Sequence, residues 1–469
     1  MGLMARVVGV TVASALVVAG GYVWADAHDI VPGVLTLGPE PAPPAPFPTA
    51  PGAATGPDPA DTLSVLDPEA LAPTPAVLQQ RVDALVADPR LGPSVGVVVA
   101  DALTGDVLAS ADPDRPRTPA SIQKMLTATA ALSALGPDHV LETTVVQTGE
   151  GKIALVGGGD MMLAAGAGDA NAVNGHAGMA DLAAQVAKEL ALAGRTTVTL
   201  TLDDTLFTGD PMGPWSPDQP TLGYAAPVAA VAVDTGRTGP GIYAQRHADP
   251  AMVAAQELAR ALAAEGITVE GEPTRAAAAA DARVIGTVAS APLGEIVEYL
   301  LQTSDNTITE VVARAVAVDA DLPASFAGST KAVLAELGTL GLDVSDAVLV
   351  DASGLGAGSS VPASLFAEVL ELVSDPANVE LRAAATDLPV SGLQGTLAER
   401  FLSSPARGLV RAKTGSLPQV TSLAGTVVTA DGRLLTFVVM ADQTPEGGQW
   451  APRQAIDGFV TDLALCGCR

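Results

Sequence analysis

The sequence predicts a mixed α/β protein of the α+β kind, an antiparallel sheet covered by helices with a smaller domain inserted into it. Two observations carry that expectation. Short apolar runs separated by turn residues occur near residue 95 and again after residue 409, so both ends of the chain supply strands. Between them, roughly 150 to 285, lies Gly- and Ala-rich sequence with strand and helix signals of its own.

Taken in order, Ser94 to Ala100 (SVGVVVA) reads as a strand, Leu103-Thr104-Gly105 as a turn and Asp106 to Ser110 as the returning strand. A helix is expected to start near Pro119, because proline suits the first helical turn and Met125, Leu126, Ala130 and Leu132 continue an apolar face. In the middle piece, Thr196 to Leu202 reads as a strand and Pro250 to Glu265 as a helix. Ala276 to Ala280 reads as a loose connection back to the main body. Ile296, Val297, Leu300 and Leu301 mark a helix that ends or bends at residue 304. Leu409 to Leu417, Thr421 to Thr429 and Leu434 to Ala441 form a meander with a hairpin turn at Ala430-Asp431-Gly432-Arg433. Gln454 to Leu465 reads as a closing helix. The expected domains are a main one over 76–150 with 286–469 and an insertion over 151–285.

Ahead of these lie two segments of different character, 1–38 and 39–75. After Arg6, residues Val7 to Trp24 carry no charge. As a helix they would span about 27 Å, close to the thickness of a bilayer core. Arg6 on one side and Asp26 and Asp29 on the other fit an N-in orientation, so a signal or membrane-anchor segment is expected, the length favouring a retained anchor. Ala25-Asp26-Ala27 fits a cleavage site as well. Either way the remaining chain is expected outside the cytoplasm, on the membrane or in the wall. The Pro- and Ala-rich stretch from Pro39 to Ala60 has the composition of a semi-rigid polyproline spacer, about 70 Å long if extended.

The net charge of −28 over 469 residues argues against nucleic acid or an anionic lipid surface as partner. Aromatics are only 3%, so the core must come from Ala, Val and Leu. Cys466 and Cys468, one residue apart, allow a strained mutual disulfide in an oxidising compartment, and two sulfurs are too few for a zinc site. Asp203-Asp204 and Gly157-Gly158-Gly159-Asp160 read as turns. The first has no histidine nearby, and the second lacks the Lys and Ser/Thr of a phosphate loop. No metal or cofactor is expected.

Three short motifs carry the chemistry: Ser121-Ile-Gln-Lys124, Ser304-Asp305-Asn306 and Lys413-Thr414-Gly415. The chain has five lysines, and two of them fall on these motifs. Ser121 and Lys124 lie one helical turn apart on one face. A serine hydroxyl is a poor nucleophile until a base takes its proton. None of His28, His139, His176 or His247 sits in a triad pattern, so Lys124 is the candidate base. Burial and a nearby Lys413 would favour its neutral form. Ser304 can relay a proton to a leaving group, and Asn306 can hold a substrate carbonyl and orient Lys124. Thr414 can bind a carboxylate, Gly415 lets backbone approach a ligand, and the Ser416 and Ser121 N–H groups are candidate oxyanion donors. The ordered set is the signature of serine enzymes that open D-Ala-D-Ala peptides or β-lactams.

Longer segments carry a resemblance. TPASIQKMLTATAAL, TLDDTLFTG, GYAAPVAAVAVD, DASGL, LPVSGLQGTLAER and VRAKTGSL resemble those of the class C low-molecular-mass penicillin-binding proteins, the D-Ala-D-Ala carboxypeptidase/endopeptidase family. The similarity extends from about residue 94 to the C-terminus. It implies a β-lactamase/DD-peptidase-like domain with a helical subdomain. It also implies a membrane-proximal hydrolase that removes the terminal D-Ala of peptidoglycan stem peptides or cuts D-Ala cross-links, and is acylated by β-lactam inhibitors. The chain departs from the family after Asp351, where Gly-Leu is followed by Gly356-Ala357-Gly358 in place of the more usual Ser-Arg pair. A β-lactamase shares the three motifs but places the first two much closer together, and nothing between Asn306 and Lys413 resembles its deacylating glutamate loop. A non-catalytic penicillin-sensing or wall-binding protein would not need all five polar motif residues.

Overall fold

The computed structural model describes residues 17–28, 30–31 and 69–467, in two compact units, Met1–Val65 and Leu66–Arg469. In the first unit a helix covers 17–27. Among the described residues no helix is long and apolar enough to cross a membrane. The earlier part of the Val7–Trp24 stretch and the Pro39–Ala60 spacer lie outside the described residues. Cys466 is buried and disulfide-bonded, and Cys468 lies outside them too.

The second unit is organised by a five-stranded antiparallel sheet. In spatial order its strands are Val410–Leu417, Val420–Val428, Leu434–Ala441, Val95–Asp101 and Val107–Ala111. The two ends of the chain meet at its centre, where Val97 faces Val439 and Val99 faces Phe437. Val95–Asp101 is buried along its whole length because both faces of the sheet are covered, which explains an apolar run without alternation. The side-chain period of two then divides the strand. Val97 and Val99 join Phe437 and Val439 against the helices Pro75–Val86 and Trp450–Ala464. Val98, Val438 and Met440 point the other way, into the larger helical layer. That layer contains Lys124–Leu135, Leu293–Thr303, Asn306–Asp319, Phe326–Thr339 and Ala363–Ser374.

A second, mixed sheet has the order Arg283–Ala289, Glu142–Gly149, Lys152–Val156, Thr197–Asp203 and Thr268–Val269. The helices Met179–Leu192 and Pro250–Ala264 supply its core with Leu182, Val186, Leu258 and Leu262. The chain enters along Glu142–Gly149 and leaves along Arg283–Ala289. These two strands pair antiparallel, so chain passes into and out of the second sheet side by side. Both lie at the limits of the 151–285 stretch that composition singled out, and the first lies outside it. The glycines of 157–159 serve packing: a Cβ on Gly157 would lie 2.7 Å from the Ala230 carbonyl oxygen, and one on Gly158 would collide with that of Glu142. Asp203 accepts from Thr205 and from the Ala278 N–H, and Asp204 pairs with Arg275 at 2.9 Å, so both carboxylates are engaged by the fold.

Beside the main sheet, Arg433 in the last hairpin donates from Nε to Asp101 at 2.8 Å and from a terminal nitrogen to the Ala70 carbonyl at 3.3 Å. Asp101 is only 2% exposed. Removing the cation strands a buried carboxylate, at a cost of about 3–5 kcal/mol. Arg433→Ala is therefore expected to lower the unfolding free energy by about that amount in urea titration. A change below about 0.5 kcal/mol would mean that Asp101 is not held by this pair.

Candidate active site

The helix expected from Pro119 begins at Lys124, and Ala120–Gln123 form a 3-10 turn ahead of it. Ala120 sits at φ 52°, a left-handed conformation. The turn is clamped from two sides. Ser422 Oγ donates to the Pro119 carbonyl at 2.6 Å, and Gly354 packs directly on the Ala120 carbonyl. In a 3-10 turn residues i and i+3 eclipse, which brings Ser121 and Lys124 closer to one line than an α-turn does.

Lys124 has no exposed surface, and its Nζ meets three oxygens: Ser121 Oγ at 2.9 Å, Asn306 Oδ1 at 2.7 Å and the Ser353 carbonyl at 2.8 Å. Asn306 opens the helix Asn306–Asp319, and its Nδ2 donates to the Tyr224 carbonyl at 2.9 Å, which fixes Oδ1 towards the lysine. Asp305 caps that helix by accepting from the Ile308 N–H, and its other oxygen holds Arg237 at 3.2 Å. Ser304 is the left-handed residue (φ 58°) that ends Leu293–Thr303 and turns the chain into the next helix. Its Oγ accepts from Lys413 Nζ at 2.9 Å. The structure thus brings Ser121, Lys124, Ser304, Asn306 and Lys413 into one cluster.

Lys413, Thr414, Gly415 and Ser416 lie on strand Val410–Leu417, at the edge of the main sheet. Thr414 donates to Thr396 Oγ1 at 3.0 Å, and Ser416 Oγ accepts from Arg453 at 3.0 Å. Gly415 also has a packing role. A Cβ there would collide with Ser422 Oγ and lie 2.7 Å from the Pro119 carbonyl oxygen, so this glycine admits the serine turn.

Burial lowers Lys124 to about 8, against the pull of Asp351, Asp305 and Glu310. Burial and the neighbouring Lys124 hold Lys413 well below the usual lysine range. The repulsion expected between the two lysines lowers Lys413, while Asp351, Asp305 and Glu310 oppose the fall of Lys124. In a site of this kind two hydroxyls are each paired with a lysine, which suits proton transfer at both ends of an acyl-transfer reaction.

Sequence reasoning missed the layer beneath. Asp351 is fully buried. Its oxygens accept from the N–H groups of Gly354 (2.8 Å), Leu355 (3.1 Å) and Gly356 (2.7 Å), from Ser353 Oγ and from Trp215 Nε1 (2.7 Å). This curls the loop so that the Ser353 carbonyl faces Lys124. Glu310 Oε1 accepts from the Ala352 and Ser353 N–H groups at 2.7 and 3.0 Å, and Arg314 stands 3.4 Å from its other oxygen. Burial and Asp351 push Glu310 up to about 8. The DASGL segment signalled the loop, but no residue spacing signalled Glu310. A cleft of about 2190 Å³ opens over Ser121, Ser304, Asn306, Thr414 and Ser416, rimmed by Tyr224, Arg237 and Arg453.

A serine and a buried lysine on this sheet-and-helix scaffold place the molecule among the penicillin-binding serine hydrolases. The chain belongs to the D-Ala-D-Ala carboxypeptidase 3 (S13) family, whose sequence profile matches residues 78–248 and 242–463. It is 36% identical over 437 residues to a carboxypeptidase of Mycobacterium tuberculosis, covering 91% of this chain and 90% of that protein. It is 36% identical over 412 residues to the carboxypeptidase DacB of Mycolicibacterium smegmatis, covering 86% and 87%. Its fold is similar to that of penicillin-binding protein 4 from Haemophilus influenzae, with a TM-score of 0.68 at 23% identity over 83% of this chain and 98% of that one.

Asp351→Asn replaces an acceptor oxygen with a donor amide facing N–H groups. About 2–3 kcal/mol of stability should be lost in chemical denaturation. Unchanged stability would show that the loop is held by other contacts.

Proposed function

We propose that this protein is a serine D-Ala-D-Ala carboxypeptidase that acts on peptidoglycan stem peptides through an ester on Ser121. The observation that carries this reading is the environment of Lys124. Asn306 Oδ1 and the Ser353 carbonyl can only accept, so they take the two protons of a neutral amine. The lone pair is then left for the hydroxyl of Ser121, 2.9 Å away. Lys124 removes the Ser121 proton as Oγ attacks the carbonyl between the two D-alanines. The N–H groups of Ser121 and Ser416 receive the oxyanion. The C–N bond breaks, and the proton that Lys124 took from Ser121 passes through Ser304 to the departing D-Ala nitrogen, while Lys413 Nζ, 2.9 Å from Ser304 Oγ, orients that hydroxyl. Water then hydrolyses the ester. A β-lactam ring follows the first half of the same path.

The apolar stretch Val7–Trp24 supports a place outside the cytoplasm, on the membrane or in the wall. The β-lactamase reading is the less favoured one. Glu310, the buried glutamate between the second and third motifs, is occupied by two backbone N–H groups and stands beneath the site, where it cannot hold a deacylating water in the cleft.

Release of D-Ala from a peptide ending in D-Ala-D-Ala should be measurable for the wild type and abolished in Ser121→Ala. Wild-type protein that acylates with penicillin but frees no D-Ala from stem peptides would refute the substrate assignment. The pH dependence follows from the sign of the Lys124 shift. The base is active when deprotonated, so the second-order rate of penicillin acylation should climb about tenfold per pH unit below 8 and level off above it. Lys124→Ala should lower that rate about a thousandfold. A flat profile from pH 6 to 9 would show that another group is the base.

A further inference from the structure

The substrate proposed above carries a free carboxylate, and the protein that must bind it carries a net charge of −28. A local cation is needed, and most of those in the cleft are already engaged. Arg237 is paired with Asp234 at 2.9 Å and with Asp305 at 3.2 Å. Arg400 makes a two-pronged pair with Asp457. Arg246 is buried and gives its protons to the carbonyls of Thr235, Gly223 and Ile242. Lys413 is held between Ser304 Oγ and the Thr414 carbonyl.

Arg453 is different. It lies in the first turns of helix Trp450–Ala464, is half-buried and lines the cleft. No carboxylate among the described residues stands within ion-pair distance of it. Asp457, the acid one helical turn further on, is turned to Arg400 instead. The guanidinium makes one side-chain contact, to Ser416 Oγ at 3.0 Å. Ser416 follows Thr414 and Gly415 on the edge strand, and its backbone N–H is the proposed oxyanion donor. A carboxylate on the carbon next to the leaving nitrogen is three bonds from the carbon under attack, so it falls beside that same stretch of strand. An arginine fork with spare donors is suited to it.

Resting on the carboxypeptidase reading, we propose that Arg453 is a specificity-determining residue that reads the C-terminal carboxylate of the substrate, together with Thr414 and Ser416. Its guanidinium keeps the contact to Ser416 Oγ and turns its remaining N–H donors to the carboxylate. The ligand class follows: peptides and β-lactams that carry an anionic carboxylate α to the nitrogen that departs. A peptide with that group masked as an amide is a poor substrate.

The test compares kcat/KM for two synthetic peptides identical except at the C-terminus, D-Ala-D-Ala acid and D-Ala-D-Ala amide, each cleaved between the two alanines. Wild type should prefer the acid, and Arg453→Gln should reduce that preference by about ten- to a hundredfold, the worth of a charge-assisted pair. Arg453→Lys should keep part of it, since it retains charge without the fork. The preference is a ratio within one preparation, so partial unfolding cancels, and if Arg453→Gln fails to fold the Lys variant decides. An unchanged preference in the variants, or equal losses on acid and amide, would overturn the proposal by reducing Arg453 to a support for Ser416. A wild type that cleaves acid and amide equally would overturn it and leave the carboxypeptidase reading intact. A wild type that cleaves neither would sink both.

Discussion

The site depends on one constraint, an amine with no exposed surface surrounded by three oxygens of which only one belongs to a hydroxyl. Water solvates an exposed lysine and keeps it charged; burial removes that solvation and brings Lys124 down to about 8. The two pure acceptors then decide the orientation of the amine, and Ser121 receives what remains. Three separate elements hold those oxygens. The 3-10 turn presents Ser121, the second helix junction presents Asn306, and the loop curled around Asp351 presents the Ser353 carbonyl. Two buried carboxylates beneath, Asp351 and Glu310, fix that loop through backbone N–H groups while keeping the lysine from falling further.

This arrangement also accounts for the extent of the fold. The sheet brings the C-terminal strand with Lys413 against the turn with Ser121, and the close approach needs a glycine at 415. The helical layer brings in Ser304 and Asn306. The stretch from Gly223 to Asp234 contributes the Tyr224 carbonyl that orients Asn306 and the Asp234 carboxylate that shares Arg237 with Asp305. Elements distant in sequence therefore meet at a single polar cluster whose members are mutually hydrogen-bonded, so displacing one costs the partners of several others.

Much of this was legible beforehand. The strands at 95–101, 410–417 and 434–441 follow from apolar runs bounded by turns, and the three motifs group Ser121, Lys124, Ser304, Asn306 and Lys413 by residue type and order alone. What the sequence hid are features set by long-range contact. The helix start slipped from Pro119 to Lys124 because Ser422 and Gly354 grip the turn from other parts of the chain. Strand Glu142–Gly149 was not expected, since its partner Arg283–Ala289 lies far along the sequence. Glu310 reads as one more helix residue until its two backbone N–H donors, from a loop far along the chain, are seen. The packing of Gly415 on the serine turn was hidden too, because Ser422 and Pro119 reach it from other parts of the chain.

The measurement that bears most directly on the central claim is intact mass of the protein after penicillin, followed over hours with the adduct mapped to its residue. The account predicts one penicilloyl adduct, on Ser121, that persists because the site releases the ester slowly. An adduct that vanishes within seconds would make the protein a β-lactamase. An adduct on another residue, or none, would contradict the assignment of Ser121 and Lys124 as the reacting pair.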